Sequence, residues 1–175
     1  MAAYRALGPP RFSQPTPQTP VWCFALLSAD DLSAVDHAGL APNPRCGVVQ
    51  RPGCAAAVRV FASCDAACDW AMDRSGASLC VLALRLRFGI VGHDSLLDVY
   101  FTPGPVPAAA CYLLGSVEQA RGRAEAYMAR LHFLSDGGEG ILSRLAQLPV
   151  LERGLALERM PMITDVEDCF LCHAH

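Results

Sequence analysis

A chain of 175 residues is long enough for one domain with a sizeable core and too short for two ordinary ones. With 53% hydrophobic and 18% charged residues, it is not a disordered acidic or basic tail. A net charge of -3 and a pI near 5.9 give no bulk attraction for nucleic-acid phosphates, so nucleic acid is not an expected partner, although a local basic groove stays open.

All fourteen basic residues are arginine, so the chain is lysine-free. Escape from lysine-directed ubiquitination would explain this in a viral or pathogen-derived protein. Base composition explains most of it, because a GC-rich genome also depletes Asn and Ile, and here Asn43 is the single Asn and Ile occurs three times. The nine cysteines are an odd count, which rules out a complete set of internal disulfides. Met1-Ala2-Ala3-Tyr4-Arg5 is not followed by a long apolar stretch, so no secretory signal is expected, and no run approaches the roughly 20 apolar residues that span a bilayer. The cysteine-rich chain therefore reads as reduced and cytoplasmic or nuclear, with no membrane partner. Its composition fits a large DNA virus or a eukaryote better than a bacterium.

Residues 1–20 carry five prolines among Ser, Gln and Thr and read as a flexible, partly polyproline arm. Residues 21–162 read as a single α+β domain, divided into a core (21–115) and a helical extension (116–162), before a Cys/His tail (163–175). Val21 to Leu27 is a strand candidate. Ser28 is expected to cap a short helix with Asp30 and Asp31 in its first turn, Leu32 and Val35 inward, and Gly39 as its stop. Residues 41–57 read as one long loop. Val58 to Ser63 is a second strand, and Ser63 is placed to cap a helix from Cys64 to Asp73.

Leu79 to Ala83 is a continuous apolar run, which predicts a central strand buried on both faces. It becomes an alternation at Leu84-Arg85-Leu86-Arg87-Phe88, where one face meets solvent. Gly92 to Ser95 reads as a turn before a strand from Leu97 to Phe101. Val117, Ala120, Ala124, Tyr127, Met128 and Leu131 repeat at three- and four-residue intervals and predict an amphipathic helix, ended by Asp136-Gly137-Gly138. Ile141, Leu145 and Leu148 suggest a second helix before Pro149, completing a C-terminal helical pair.

The succession of motifs resembles the ADP-ribosyltransferase-like superfamily, most closely the NAD-dependent RNA 2'-phosphotransferases. It is carried by Trp22-Cys23-Phe24-Ala25, Gly39-Leu40-Ala41-Pro42, Val60-Phe61-Ala62-Ser63, Arg74, Cys80 to Leu84, Val99-Tyr100-Phe101-Thr102 and Val106-Pro107. It covers roughly residues 21 to 115. The resemblance implies a small mixed or antiparallel sheet with flanking helices and, if NAD binds, contacts from Arg74, Ser63, Tyr100 and Phe24. It also implies histidines for the ribose and the substrate phosphate, yet those positions hold Phe24 or Ala25, and Phe61. Phenylalanine can stack on a ring but cannot donate to a phosphate. The implied site is degenerate, and Arg74 is its one remaining cationic match, able to grip phosphate bidentately.

Cys169, Cys172, His173 and His175 crowd the end of the sequence and carry the donor types of a zinc site, with Cys46, Cys54 or His37 available to complete it. Cys64 and Cys68 share a helix face and read as packing, as do Cys80 and Cys111 in their apolar runs. His93-Asp94 reads as a solvated turn pair, and His132 as a charge partner for a helix C-terminus. No nucleophile elbow or phosphate-binding loop occurs. Three expectations follow. The first is an intracellular, protein-binding regulator on a degenerate scaffold, host-directed, with a homo-oligomer or a host factor as its partner. The others are an NAD-dependent ADP-ribosyl or RNA 2'-phosphate transferase and a zinc-stabilised interaction module.

Overall fold

The computed structural model describes residues 14–46, 48–49, 55–74, 78–137 and 139–160. The strands are β1 (Pro20–Ser28), β2 (Val48–Val49), β3 (Ala57–Val60), β4 (Leu79–Arg87), β5 (Gly92–Asp94), β6 (Val99–Pro103) and β7 (Cys111–Ser116). The helices are α1 (Leu32–Ala38), α2 (Cys64–Met72), α3 (Val117–Gly137), α4 (Glu139–Ala146) and α5 (Val150–Glu158). The class is α+β, as the sequence implied, with two small antiparallel sheets ordered β1-β4-β7 and β2-β3-β6-β5.

The first sheet is the middle layer, and the two-residue period of its strands builds a core on each face. Phe24, Leu26, Val81, Ala83, Tyr112 and Leu114 point to the side covered by α2, α3, α4 and α5. Cys23, Ala25, Leu27, Leu82, Leu84 and Leu113 point to the side covered by Val35 of α1, Val58 and Val60 of β3, and Val106. β4 is the central strand, and its run from Val81 to Leu84 is wholly buried. The sheets meet at one backbone bridge, where Phe24 N donates to Phe61 O (2.9 Å) and Phe61 N to Phe24 O (2.7 Å). A second bridge joins Leu40 to Val106. It follows Gly39, whose φ of 74° lets the chain leave α1 sharply.

Local signals behave as their chemistry dictates in α2 and α3. Ser63 Oγ accepts from Ala66 N (3.1 Å) at the start of α2. α3 opens with a reciprocal box: Ser116 Oγ accepts from Gln119 N (3.2 Å), and Gln119 Oε1 accepts from Ser116 N (3.1 Å). Just before it, Gly115 at φ 123° sits beside a shift in the β4–β7 register, an irregularity that a side chain would strain.

Several expectations need correction. Ser28 makes no cap bond; it is buried as the last residue of β1, and a 3-10 turn at Ala29–Asp31 precedes α1. The 41–57 loop holds a 3-10 turn at Pro44–Cys46 and the short strand β2, which pairs with β3. Gly92 to Asp94 is a strand, zipped against Phe101 to Val99, and the turn follows it. β7 was not anticipated, because Ala108 to Ala110 masks the start of its apolar run. Among the described residues the C-terminal part has three helices instead of two, since Pro149 starts α5 as its N-cap and does not merely stop α4.

Candidate functional site

A cleft of about 930 Å³ opens on the helical side of the first sheet, between β1, the start of α2 and one flank of α3. β1 supplies Trp22 and Phe24, which alternation sends to the same face. β4 supplies Arg85, which stands opposite Trp22 in the strand register. Ser63 and Cys64 come from the start of α2. Glu125, Met128, His132 and Asp136 lie three or four residues apart on α3 and line the far wall.

The aromatic wall is ordered by edge contacts. Trp22 lies edge-on to Tyr112 with ring centroids 5.5 Å apart, and to His132 at 6.3 Å. His132 thus lies within α3, not at its C-terminus, and its ring faces the cleft tryptophan. Arg85 is half-buried and also borders a smaller hollow of about 260 Å³ beside Tyr112 and Leu142.

Cys64 is the thiol in the cleft lining, and it is held as a thiol. Burial, followed by the nearby Cys68, pushes its pKa up to about 12. The two sulfurs lie 3.9 Å apart, both buried, which agrees with a packing role. Ser63 Oγ is occupied as the helix cap. The cleft can therefore hold an aromatic or aliphatic group with polar atoms at its rim, but it lacks an armed thiol.

The four residues that the resemblance implied for NAD do not converge. Phe24 and Ser63 line the cleft. Arg74 lies outside its lining, just beyond α2, with its guanidinium 3.8 Å from the centroid of the Trp70 ring. Tyr100 belongs to β6 in the second sheet and stacks on His93 at 4.7 Å. His93 and Asp94 take separate tasks: His93 Nε2 lies 3.0 Å from Asp98 Oδ1, while buried Asp94 accepts from Leu96 N and Leu97 N.

The zinc candidates Cys169, Cys172, His173 and His175 lie outside the described residues, as does Cys54. Cys46 is buried and His37 exposed on α1. Among the described residues, no three His, Cys, Asp or Glu side chains gather as a metal site.

Sequence reasoning missed Arg85, His132, Glu125 and Asp136 as cleft residues. The alternation at Leu84-Arg85-Leu86 had marked Arg85 as lying on the less buried face. The apolar stripe of α3 includes Ala124 and Met128, but its polar cleft residues Glu125, His132 and Asp136 lie beside that stripe and carry no sequence signal. What the sequence did not carry was which flank of α3 would meet β1. Comparison with protein-family models, curated proteins and solved structures gave no match. No helix among the described residues is long and apolar enough to cross a membrane.

Proposed function

We propose that this chain is an intracellular, host-directed regulator that captures a protein partner, on a degenerate ADP-ribosyltransferase-like scaffold. The observation that carries the reading is the Phe24–Phe61 bridge. The resemblance implies histidines at Phe24 or Ala25 and at Phe61; Phe24 and Phe61 are backbone-paired and each only 7% exposed, and Ala25 is wholly buried. Buried phenyl rings offer shape and apolar surface and cannot hold or move a proton. The neighbouring cleft is of a size suited to a side chain or short segment of a partner, within the roughly 300–1,000 Å³ of ordinary binding pockets.

Capture from cell extract with wild type and Glu125→Arg side by side tests this reading, because Glu125 is an exposed residue of the cleft wall. A partner held by wild type and lost by the variant supports it; identical recoveries sink it.

The second reading, an NAD-dependent ADP-ribosyl or RNA 2'-phosphate transferase, is favoured by one observation: Phe24 and Ser63 line a common cleft large enough for a dinucleotide. NAD titration into isotopically labelled protein separates the two. The regulator gives no saturable shifts at millimolar NAD. Saturable shifts that vanish in Arg74→Ala would favour the transferase instead and call for a search for its acceptor.

A further inference from the structure

Beside the cleft, Arg59 and Arg74 crowd one tryptophan, an arrangement that the partner-capture reading does not use and of which the transferase reading uses Arg74 alone. Arg59 leaves β3 between the buried Val58 and Val60, on the less covered face of its strand. Its guanidinium carbon lies 5.0 Å from the Phe61 ring centroid and 5.2 Å from that of Trp70. Arg74 lies over the same indole at 3.8 Å. Two like charges thus share one tryptophan, and among the described residues no ion pair joins either to a carboxylate. Asp69, the acidic residue one position before Trp70, is bonded to Arg121 of α3.

Charge balance makes this arrangement costly as it stands. Burial holds the Arg59 pKa below its ordinary value, and the charge that adds to that effect is Arg74, another cation. Arg59 Nε is buried and has no acceptor. The C-terminal dipole of α2 favours a cation at Arg74, but it amounts to about half a charge at most and falls off within a turn. Stacking on an aromatic face leaves the in-plane N–H edges of a guanidinium free for an oxygen ligand.

We propose that Arg59, Trp70 and Arg74 form a binding site for a phosphomonoester dianion, either free or carried on a protein side chain. A single carboxylate would leave one guanidinium uncompensated. A phosphomonoester brings a charge of about −1.5 to −2 at neutral pH and three acceptor oxygens, enough for two forked donors. The site is separate from the cleft, whose lining includes none of the three residues. Its outcome therefore leaves the partner-capture reading of the cleft where it stands, and Arg59→Gln, which the transferase reading does not invoke, separates this site from that reading.

The test uses Trp70 as the reporter. The chain has two tryptophans, so Trp22→Phe leaves Trp70 as the sole tryptophan, excited selectively over the four tyrosines at the red edge of the absorption band. Inorganic phosphate and a phosphoserine peptide are titrated separately at pH 8, with sodium chloride and acetate at matched ionic strength as controls. The expected result is a saturable change in emission with the phosphate probes and none with the controls. Arg74→Gln, an exposed position, weakens the affinity at least tenfold, and Arg59→Gln does the same. Tighter binding of the peptide than of inorganic phosphate assigns the site to a phosphorylated partner; equal affinities assign it to a free phosphate ester. A response that merely follows ionic strength, or one that survives Arg74→Gln unchanged, overturns the proposal.

Discussion

Arg153 shows how much one buried residue can organise. It is 2% exposed, yet among the described residues it donates to carbonyls and to no carboxylate. Its Nε donates to Leu145 O (2.9 Å) and Leu148 O (2.8 Å), and its Nη2 to Ala146 O (2.8 Å). These are carbonyls at and just beyond the end of α4, where its ladder runs out; Leu145 O also accepts from Leu148 N (3.0 Å). Nη1 donates to Cys111 O (2.7 Å) and also to Ala108 O, so the same side chain fixes the start of β7. Arg153→Met keeps the apolar stem and removes every donor. We expect a loss on the order of 3 kcal/mol, read from chemical denaturation, because several carbonyls lose a charged donor together, although Leu145 O keeps Leu148 N and Ala108 O keeps Cys111 N. A loss below about 1 kcal/mol would show that solvent takes over those carbonyls.

The thiols make a second prediction at this scale. Burial pushes Cys23 up to about 11 and Cys64 and Cys111 up to about 12, from an ordinary 9.0. The neutral thiol is thus favoured by the fold, and the unfolded chain ionises first as pH rises. Their contribution to stability is complete below pH 9 and is lost as pH climbs towards 12. The denaturation midpoint should fall between pH 8 and pH 10.5, and Cys111→Ala should fall less steeply over that range. A flat profile would contradict the burial assigned to these groups.

Elements are held by partners distant in sequence. α5 begins at Val150, whose N–H donates to Asp36 Oδ1 at 2.9 Å, so a carboxylate from α1 supplies the cap that Pro149 lacks. Asp36→Ala should cost about 1 kcal/mol, as an N-cap does. An unchanged midpoint would show that the cap contributes nothing.

One substitution at two glycines tests the backbone of two helices. Gly122 is exposed within α3, and a Cβ there meets nothing within 4 Å; Gly122→Ala should stabilise by up to about 1 kcal/mol. At Gly39, φ is 74° and a Cβ would lie 2.4 Å from Val106 O. Gly39→Ala should therefore destabilise by about 2 kcal/mol or more, by strain and by loss of the Leu40–Val106 bridge. Thermal melts of the pair should move in opposite directions.

At the scale of the whole molecule, the first sheet separates two cores, and the cleft lies at the edge of one of them, where β1 leaves the helices uncovered. The layered arrangement explains why binding is the reading preferred here. Phe24 and Cys64, which line the cleft, are also members of the core behind it. The zinc-stabilised module remains a separate proposal, because its ligands Cys169, Cys172, His173 and His175 lie outside the described residues. It predicts stoichiometric zinc in natively purified protein, lost in a Cys169→Ser/Cys172→Ser double variant; metal-free native protein would eliminate it.

The sequence by itself determined what depends on neighbours along the chain. Ser63 caps α2, the apolar stripe forms α3, Val81 to Leu84 is buried in the central strand, and Gly39 ends α1, because caps, periods and positive φ are local properties. Tertiary structure decided the rest. It recruited Asp36 to cap α5, turned Arg153 inward, paired Phe24 with Phe61, and set His132 of α3 against Trp22 of β1. It also separated Arg74 and Tyr100 from the cleft that Phe24 and Ser63 share. Such contacts join residues tens of positions apart, and periodicity tells which face of an element is buried but not which other element will cover it.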